Sequence, residues 1–207
     1  MKTKHLISAL ALGLAAGLAA ASPVIGSVEK LYGAGSGRNA VASTGSGSCD
    51  TLNSGSITVR DSDPRSCGRF SDVLDFSSLS YDSIDRITLT LNFGATNNWN
   101  YLIFREDWRL RPGSADGDVS SQMFKLNNVS GTTSQTFVFD SSLDIFQDIV
   151  ASGGLRLWFA DEALGSNQFQ LNSARLEVNG TVPEPGSLAL AGLALAGLGL
   201  ARRRRQG

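Results

Sequence analysis

Apolar and polar residues alternate with a period of two through most of the middle of the chain. Ile87, Leu89, Leu91 and Phe93 interleave with Thr88, Thr90 and Asn92, which predicts a strand over Ile84–Phe93 with one buried and one wet face. Gly94-Ala95-Thr96-Asn97-Asn98 closes it. Ile57 and Val59 predict a shorter strand that Asp61-Ser62-Asp63-Pro64 ends, and Tyr101–Phe104, Trp108–Leu110, Met123–Leu126 and Thr136–Phe139 predict others. Leu155, Leu157 and Phe159 share one face of a further strand, with Arg156 and Trp158 on the other. In the last strand region, Gln168–Val178, the apolar parity changes: Phe169 and Leu171 are odd, Ala174, Leu176 and Val178 even. A one-residue slip turns a whole strand over, so a bulge or tight corner is expected at Asn172-Ser173 to keep both halves facing the core.

Two stretches break the alternation. Ser141-Ser142 followed by Leu143, Phe146, Ile149 and Val150 has helical spacing; it predicts a helix of about two turns with a serine N-cap, Asp144 in its first turn and Gly153-Gly154 as its stop. Ser22 to Ser48 is rich in Gly, Ser and Ala, with Gly33–Gly37 and Ser43–Ser48 the densest runs, and reads as a flexible segment. Within it, Val28 and Lys30 against Glu29 and Leu31 form one short strand candidate. Some eight short strands, one helix and polar turns imply an all-β fold: an antiparallel β-sandwich over residues 49–181, jelly-roll-like, with the helix crossing one end. Immunoglobulin-like topology is the runner-up.

Both ends of the chain have a different character. Lys2 and Lys4, the apolar stretch Leu6–Ala20 and the small residues before Ser22 have the pattern of a secretory signal peptide over residues 1–21, cut after Ala21. The other end carries Pro183-Glu184-Pro185, the uncharged run Leu188–Ala201, and Arg202, Arg203, Arg204 and Arg205. A helix over that run is about 21 Å long against a hydrocarbon core of about 30 Å, a short span that suits a transient stop. The arginines place the C-terminus on the cytoplasmic side, and two prolines favour extended backbone around Glu184. Residues 182–207 resemble the PEP-CTERM sorting signal of Gram-negative exported proteins. The resemblance implies processing by exosortase, a transient stay in the inner membrane, and delivery to the cell surface or an extracellular polysaccharide layer.

Charge and chemistry narrow the function of the part between. With two of the 18 basic residues in the leader and four in the tail, Ser22–Pro183 holds 12 basic against 18 acidic side chains; no basic patch for nucleic acid stands out in it. The one histidine, His5, lies in the leader, so Ser-His-Asp and Cys-His catalysis and ordinary zinc sites are excluded from the rest. Cys49 and Cys67 are the only cysteines, and in an exported chain they are expected to form a disulfide worth roughly 3 kcal/mol. The adjacent carboxylates Glu106-Asp107 and Asp161-Glu162 leave an acidic glycoside hydrolase as a distant alternative. Asp61 with Asp63, or Asp116 with Asp118, could supply oxygens to a structural Ca²⁺, although neither has the full ligand pattern of a calcium loop; no cofactor and no other metal is expected.

The most concrete binding chemistry belongs to two tryptophans. Trp99 lies among Asn97, Asn98 and Asn100, and Trp108 between Glu106-Asp107 and Arg109; an aromatic flanked by amide and charged groups can stack on a sugar face while its neighbours bind hydroxyls. Asn128-Val129-Ser130 and Asn179-Gly180-Thr181 fit the N-glycosylation acceptor pattern. The sequence therefore points to a non-enzymatic exported surface or matrix protein, with a carbohydrate-binding module as the alternative.

Overall fold

The computed structural model describes residues 22–39, 50–61, 70–97, 99–100, 104–105, 107–161 and 167–182. Within them the chain forms twelve strands and one helix: β1 (Val24–Leu31), β2 (Thr51–Leu52), β3 (Ile57–Asp61), β4 (Ser71–Asp75), β5 (Ser83–Gly94), β6 (Trp99–Asn100), β7 (Phe104–Arg105), β8 (Trp108–Ser114), β9 (Phe124–Lys125), β10 (Thr132–Phe139), α1 (Phe146–Ser152), β11 (Gly154–Asp161) and β12 (Asn167–Thr181). The larger sheet runs β10-β5-β12-β3-β2, the smaller β4-β11-β8-β9, and β6 pairs with β7 alone. Strand pairing is antiparallel throughout, so the sequence-level expectation of an antiparallel all-β fold with one short helix holds.

The alternation in the sequence is what lets the two sheets face each other. Ile87, Leu89, Leu91 and Phe93 of β5 and Phe137 and Phe139 of β10 are buried, as are Trp108 and Leu110 of β8 and Leu155, Leu157 and Phe159 of β11. Phe169 of β12 joins the layers. Its ring meets Trp108 at 4.6 Å and Phe159 at 5.1 Å, both in the smaller sheet, and Phe93 at 6.3 Å in its own. A second bridge at the β9 and β10 edges sets Phe124 against Phe139 at 5.3 Å. Tilted and edge-on ring pairs of this kind add about 0.5–1.5 kcal/mol each beyond the area they bury.

The parity change in β12 is a bulge, as expected. Leu171 pairs with Phe93 and Ser173 with Asn92, so Asn172 is the extra residue. Phe169 and Leu171 before it, and Ala174, Leu176 and Val178 after it, are all buried. On its other edge β12 is shared end to end, by β3 along Asn167–Leu171 and by β1 along Ser173–Asn179.

For residues 22–39, that arrangement corrects the reading of 22–48 as a flexible segment outside the domain. Val24–Leu31 is an eight-residue strand, and Tyr32 beyond it is wholly buried. The strand was hard to read because neither of its faces is strongly apolar: its hydrogen bonds to β12 hold it, and Val28 and Ile25 are only partly buried against the core. Residues 40–48 lie outside the described residues, as do Cys49 and Cys67, so the expected disulfide falls there too.

The helix forms later than its serines predict. α1 begins at Phe146, and its N-cap Ile145 has no side-chain cap bond. Asp140 organises the preceding turn: its carboxylate accepts from Ser142 N–H at 2.9 Å and its carbonyl from Leu143 N–H at 3.0 Å. Asp144, expected in the first helical turn, instead accepts from Ser121 N–H at 2.8 Å, from Ser121 Oγ at 2.6 Å, and from Ser120 Oγ. It ties the loop after β8 to the approach of α1, and these bonds bring its pKa down to about 2. At the C-terminus the stop is as read: Gly153 is left-handed at φ 65°, and a Cβ there would lie 2.8 Å from Ser77 Cβ.

Two measurements test this account. Phe169→Ala is expected to cost about 3–5 kcal/mol of stability in urea unfolding; a loss below about 1 kcal/mol, the range of ordinary surface changes, would show that the ring does not join the sheets. Because the Asp144 carboxyl titrates lower in the folded chain than its ordinary 3.8, its stabilisation is complete above that value and disappears as pH falls through about 2. Asp144→Asn should therefore be less stable than wild type at neutral pH, and the gap should close between about pH 4 and pH 2; a gap independent of pH in that window would remove the carboxylate from the account.

Candidate functional site

The register of the smaller sheet fixes which side chains share its outer face. Opposed residues in an antiparallel pair point the same way. Since Leu155, Leu157 and Phe159 point inward, Arg156, Trp158 and Ala160 point outward, with Gly113, Arg111 and Arg109 of β8 opposite them. Val73 and Ser71 of β4 extend the first two rows, and Lys125 of β9 extends the third beyond Arg109. Alternate residues of a strand are about 6.7 Å apart and neighbouring strands about 4.8 Å, so the three rows cover an area of roughly 13 by 14 Å.

Arg156 is locked in this face. Its Nε donates to Ser114 O at 3.1 Å, Nη1 to Ser71 Oγ at 2.9 Å and Nη2 to Ala115 O at 2.6 Å. In the next row Arg111 lies over the Trp158 ring, 5.5 Å from its centroid, while its Nε donates to Ser120 O. The terminal nitrogens of Arg111 have no partner among the described residues. In the third row Asp107 bonds Arg109 and Lys125, each at 3.0 Å. Partial burial pushes the Asp107 carboxyl up, but the bonds and charges of Lys125 and Arg109 outweigh it, so its pKa lies below the ordinary value.

A cleft of about 470 Å³ adjoins the Arg156 row, lined by Ser71, Val73, Arg156, Lys30, Asp72 and Asp75 among others. It runs beside β4, the end strand of the smaller sheet. Asp72 accepts from Lys30 Nζ at 2.8 Å and from Tyr32 hydroxyl at 3.0 Å, tying β4 to β1 and the residue after it. Burial, followed by the Asp72 charge and hydrogen bond, holds the Tyr32 hydroxyl well above its ordinary pKa, so it stays a donor. An inward carboxylate on an edge strand also discourages pairing with another chain.

The predicted glycan contacts do not come together here. Trp108 has no exposed surface and its ring packs on Phe169, so it is a core residue and cannot stack on a sugar. Its place at the start of β8, with Leu110 on the same inward face, is the reason; the charged neighbours that suggested a surface site belong to the opposite face or to the loop. Trp99 falls in β6, and its side chain lies outside what the structure describes. Trp158, which the sequence set on the same strand face as Arg156, is the partly exposed tryptophan among the described residues. The signal that could have found it was already present: Arg156 and Trp158 alternate with three buried apolar residues.

Of the paired carboxylates, Glu106 and Glu162 lie outside the described residues, while Asp107 N–H donates to Asp161 Oδ1 at 2.9 Å. A catalytic general acid needs a raised pKa, and Asp107 is shifted the other way by its two cations. Asp116 and Asp118 are exposed on the turn after β8, where Asp118 N–H meets Ser114 Oγ at 3.1 Å. The Asp61 side chain and Asp63 are not described, and among the described residues no three acidic, His or Cys side chains cluster to hold a metal ion.

The far end of β12 bears on the tail. Gly180 N–H donates to Pro23 O at 3.1 Å, Asn179 Nδ2 to Ser22 O at 3.0 Å, and Asp82 N–H to Thr181 O at 2.9 Å. A Cβ on Gly180 would fall 1.9 Å from Ser83 O, so this strand end admits only glycine. The Asn179 acceptor site is thereby buried and bonded, while Asn128 is exposed. A family model described as the PEP-CTERM protein-sorting motif matches residues 181–205, starting on the last residue of β12. The chain carries a PEP-CTERM sorting motif. The predicted motif residues Pro183, Glu184 and Pro185, and Arg202 to Arg205, fall inside that match but outside the described residues. Among the described residues of this PEP-CTERM protein, no helix is long and apolar enough to cross a membrane.

Curated proteins give no match to the chain. Among solved structures it is similar to the CBM22-1 xylan-binding domain of Paenibacillus barcinonensis Xyn10C, at 11% identity and a TM-score of 0.41, covering 78% of this chain and 98% of that one. The EclA C-terminal domain, a sugar-binding protein, follows at 11% identity and 0.33, covering 67% and 89%. Tobacco streak virus coat protein gives 11% and 0.28, covering 65% and 93%. At these scores none of the three bears on ligand or role.

The exchange of roles between two tryptophans is measurable. Trp108→Ala should cost about 3–5 kcal/mol of stability, and Trp158→Ala less than about 1 kcal/mol plus its contact with Arg111. Equal losses for the two would place Trp158 in the core as well and remove it from the site.

Proposed function

We propose that this PEP-CTERM protein is a non-enzymatic, exported component of the cell surface or extracellular matrix. In this reading exosortase processes it at Pro183-Glu184-Pro185, and it is delivered to an exopolysaccharide or biofilm layer. The observation that carries the reading is the sorting motif over residues 181–205, which begins where the last strand of the folded domain ends. The signal peptide of residues 1–21 supplies export, the short apolar run holds the chain in the inner membrane for a time, and Arg202–Arg205 keep its end cytoplasmic. Ser22 and Thr181, next to the two membrane segments, lie at one end of the jelly-roll-like sandwich, since Pro23 and Gly180 are hydrogen-bonded. The domain can then stand on the membrane by that end while both segments are engaged.

A second reading, a carbohydrate-binding module, is favoured by one feature: a partly exposed tryptophan beside an arginine on the outer face of a sheet. It uses Trp158 and Arg111 in place of Trp108. The two readings are compatible, because sorting gives an address and the face gives a use there.

Replacing Pro183-Glu184-Pro185 with three alanines should leave full-length chain in the inner membrane, seen by fractionation and immunoblot against wild type. Release of that variant at the wild-type rate would refute sorting through this motif.

A further inference from the structure

We propose that the free edge of β10 pairs antiparallel with the same strand of a second copy of this chain, joining the two larger sheets across a two-fold axis. The inference goes beyond the sorting reading: it names a partner and the strand that meets it.

The state of the sheet edges is the first argument. β10 ends the larger sheet on one side, with β5 on one flank and no strand on the other among the described residues. A free edge presents a row of unpaired N–H and C=O groups, and charges, bulges or shortness normally keep another strand away from it. The other edges carry such devices. β1 has Glu29 and Lys30 and a register shift between Val24 and Gly26, and β4 has Asp72 and Asp75. β3 ends in Arg60-Asp61, and β2, β6, β7 and β9 are two residues long. The backbone in and after β9 is also occupied: the Gln135 side chain donates to Lys125 O at 2.9 Å and accepts from Asn127 N–H at 2.8 Å. β10 has none of these devices. Its eight residues, Thr132-Thr133-Ser134-Gln135-Thr136-Phe137-Val138-Phe139, include no charge, no proline and no glycine, and they pair with β5 in one unbroken register.

Charge and symmetry point to a copy of the chain as the partner. The span Ser22–Pro183 holds 12 basic against 18 acidic side chains, so copies repel one another in general, and an uncharged strand is where they can meet without setting like charges opposite each other. A two-fold contact brings the same patch of both copies together, and a strand laid antiparallel on itself meets that condition. Thr, Val and Phe suit a pleated pair, and Val138 is 54% exposed, so pairing covers apolar surface as well. Eight residues span about 26 Å, and an edge pair of that length belongs to the small, reversible contacts below about 1,200 Å². The pair is also directional. β10 runs from the Gly94 end of β5 toward Ile87, the side on which β5 meets Gly180 and Thr181, so antiparallel copies turn their Ser22 and Thr181 ends opposite ways. Under the sorting reading, chains standing on one membrane by that end cannot make the contact, and released chains can.

Association is measured by sedimentation velocity on the full chain in mild detergent, from about 1 to 100 µM, the range over which a micromolar contact passes from monomer to dimer. Wild type is expected to make that passage, and amide hydrogen exchange should slow at residues 132–139 as it does so, with no change at Val24–Leu31. Thr136→Lys and Val138→Lys, both at exposed positions, should each raise the dimer dissociation constant about tenfold or more, because pairing then brings ammonium groups together across the axis. Thr51→Lys, in β2 at the other side of the sheet, should associate as wild type does. Urea unfolding of each variant separates a weakened domain from a weakened contact, and the exchange readout decides on wild type alone. A chain monomeric throughout, a dimer of unchanged strength in both folded variants, as association through the tail would give, or protection that appears elsewhere and not on residues 132–139 overturns the proposal. The sorting reading stands or falls separately, on where the Pro183-Glu184-Pro185 variant accumulates.

Discussion

The Phe169 ring is the contact on which the two layers depend. A sheet hydrophobic on one face is stable only when that face is covered, and here one side chain of the larger sheet meets both Trp108 and Phe159 of the smaller one. Phe159 passes the contact on to Phe70, and Phe70 to Tyr32. The core is thus a chain of rings running from β8 across to the side where β1 and β4 meet, and there Asp72 closes the sandwich with bonds to Lys30 and Tyr32. The inside of the molecule ends in a polar clasp, and the candidate cleft opens on the other side of that clasp.

What holds Phe169 inward is local: the extra residue at Asn172. Without it, a strand with inward Phe169 and Leu171 would put Ala174, Leu176 and Val178 in water, exposing on the order of several kcal/mol of apolar surface. This was legible in the sequence because a bulge leaves an arithmetic trace, a change of parity between two apolar sets. Strand β5 was legible for the same kind of reason. Strand β1 was legible only in part: Val28–Leu31 stood out as a short candidate, but its half-buried face carries Gly26 and Lys30 beside Val28 and so gives a weak apolar period, and its order comes from hydrogen bonds to β12. The helix start misled in a different way. Serines are good caps, but Asp140 and Asp144 accept more bonds with their charged oxygens, and Asp144 takes the hydroxyls of Ser120 and Ser121 from a distant loop.

The site was half legible for a related reason. Sequence neighbours suggested Trp99 and Trp108 because both sit among polar residues, whereas in a strand the neighbours that matter are two positions away and on the adjacent strand. Trp108 shares its face with Leu110 and goes inside; Trp158 shares its face with Arg156 and, through the register, with Arg111. Composition near a residue therefore described the strand, and parity described the face. The pairing of β8 with β11, which assembles the cationic rows, is a long-range fact that alternation alone cannot supply.

The same logic reaches the tail. Residues 179–181 are held on one side by Ser22 and Pro23 and on the other by Asp82 and Ser83, so the strand stays ordered up to the residue where the sorting motif begins. A strand clamped from both sides cannot fray to lend slack. Any protease acting at Pro183-Glu184-Pro185 would meet a folded body that ends within a few residues of the cut in sequence. The grip of β1 on β12 thus keeps the folded domain ordered up to Thr181, the first residue of the sorting motif.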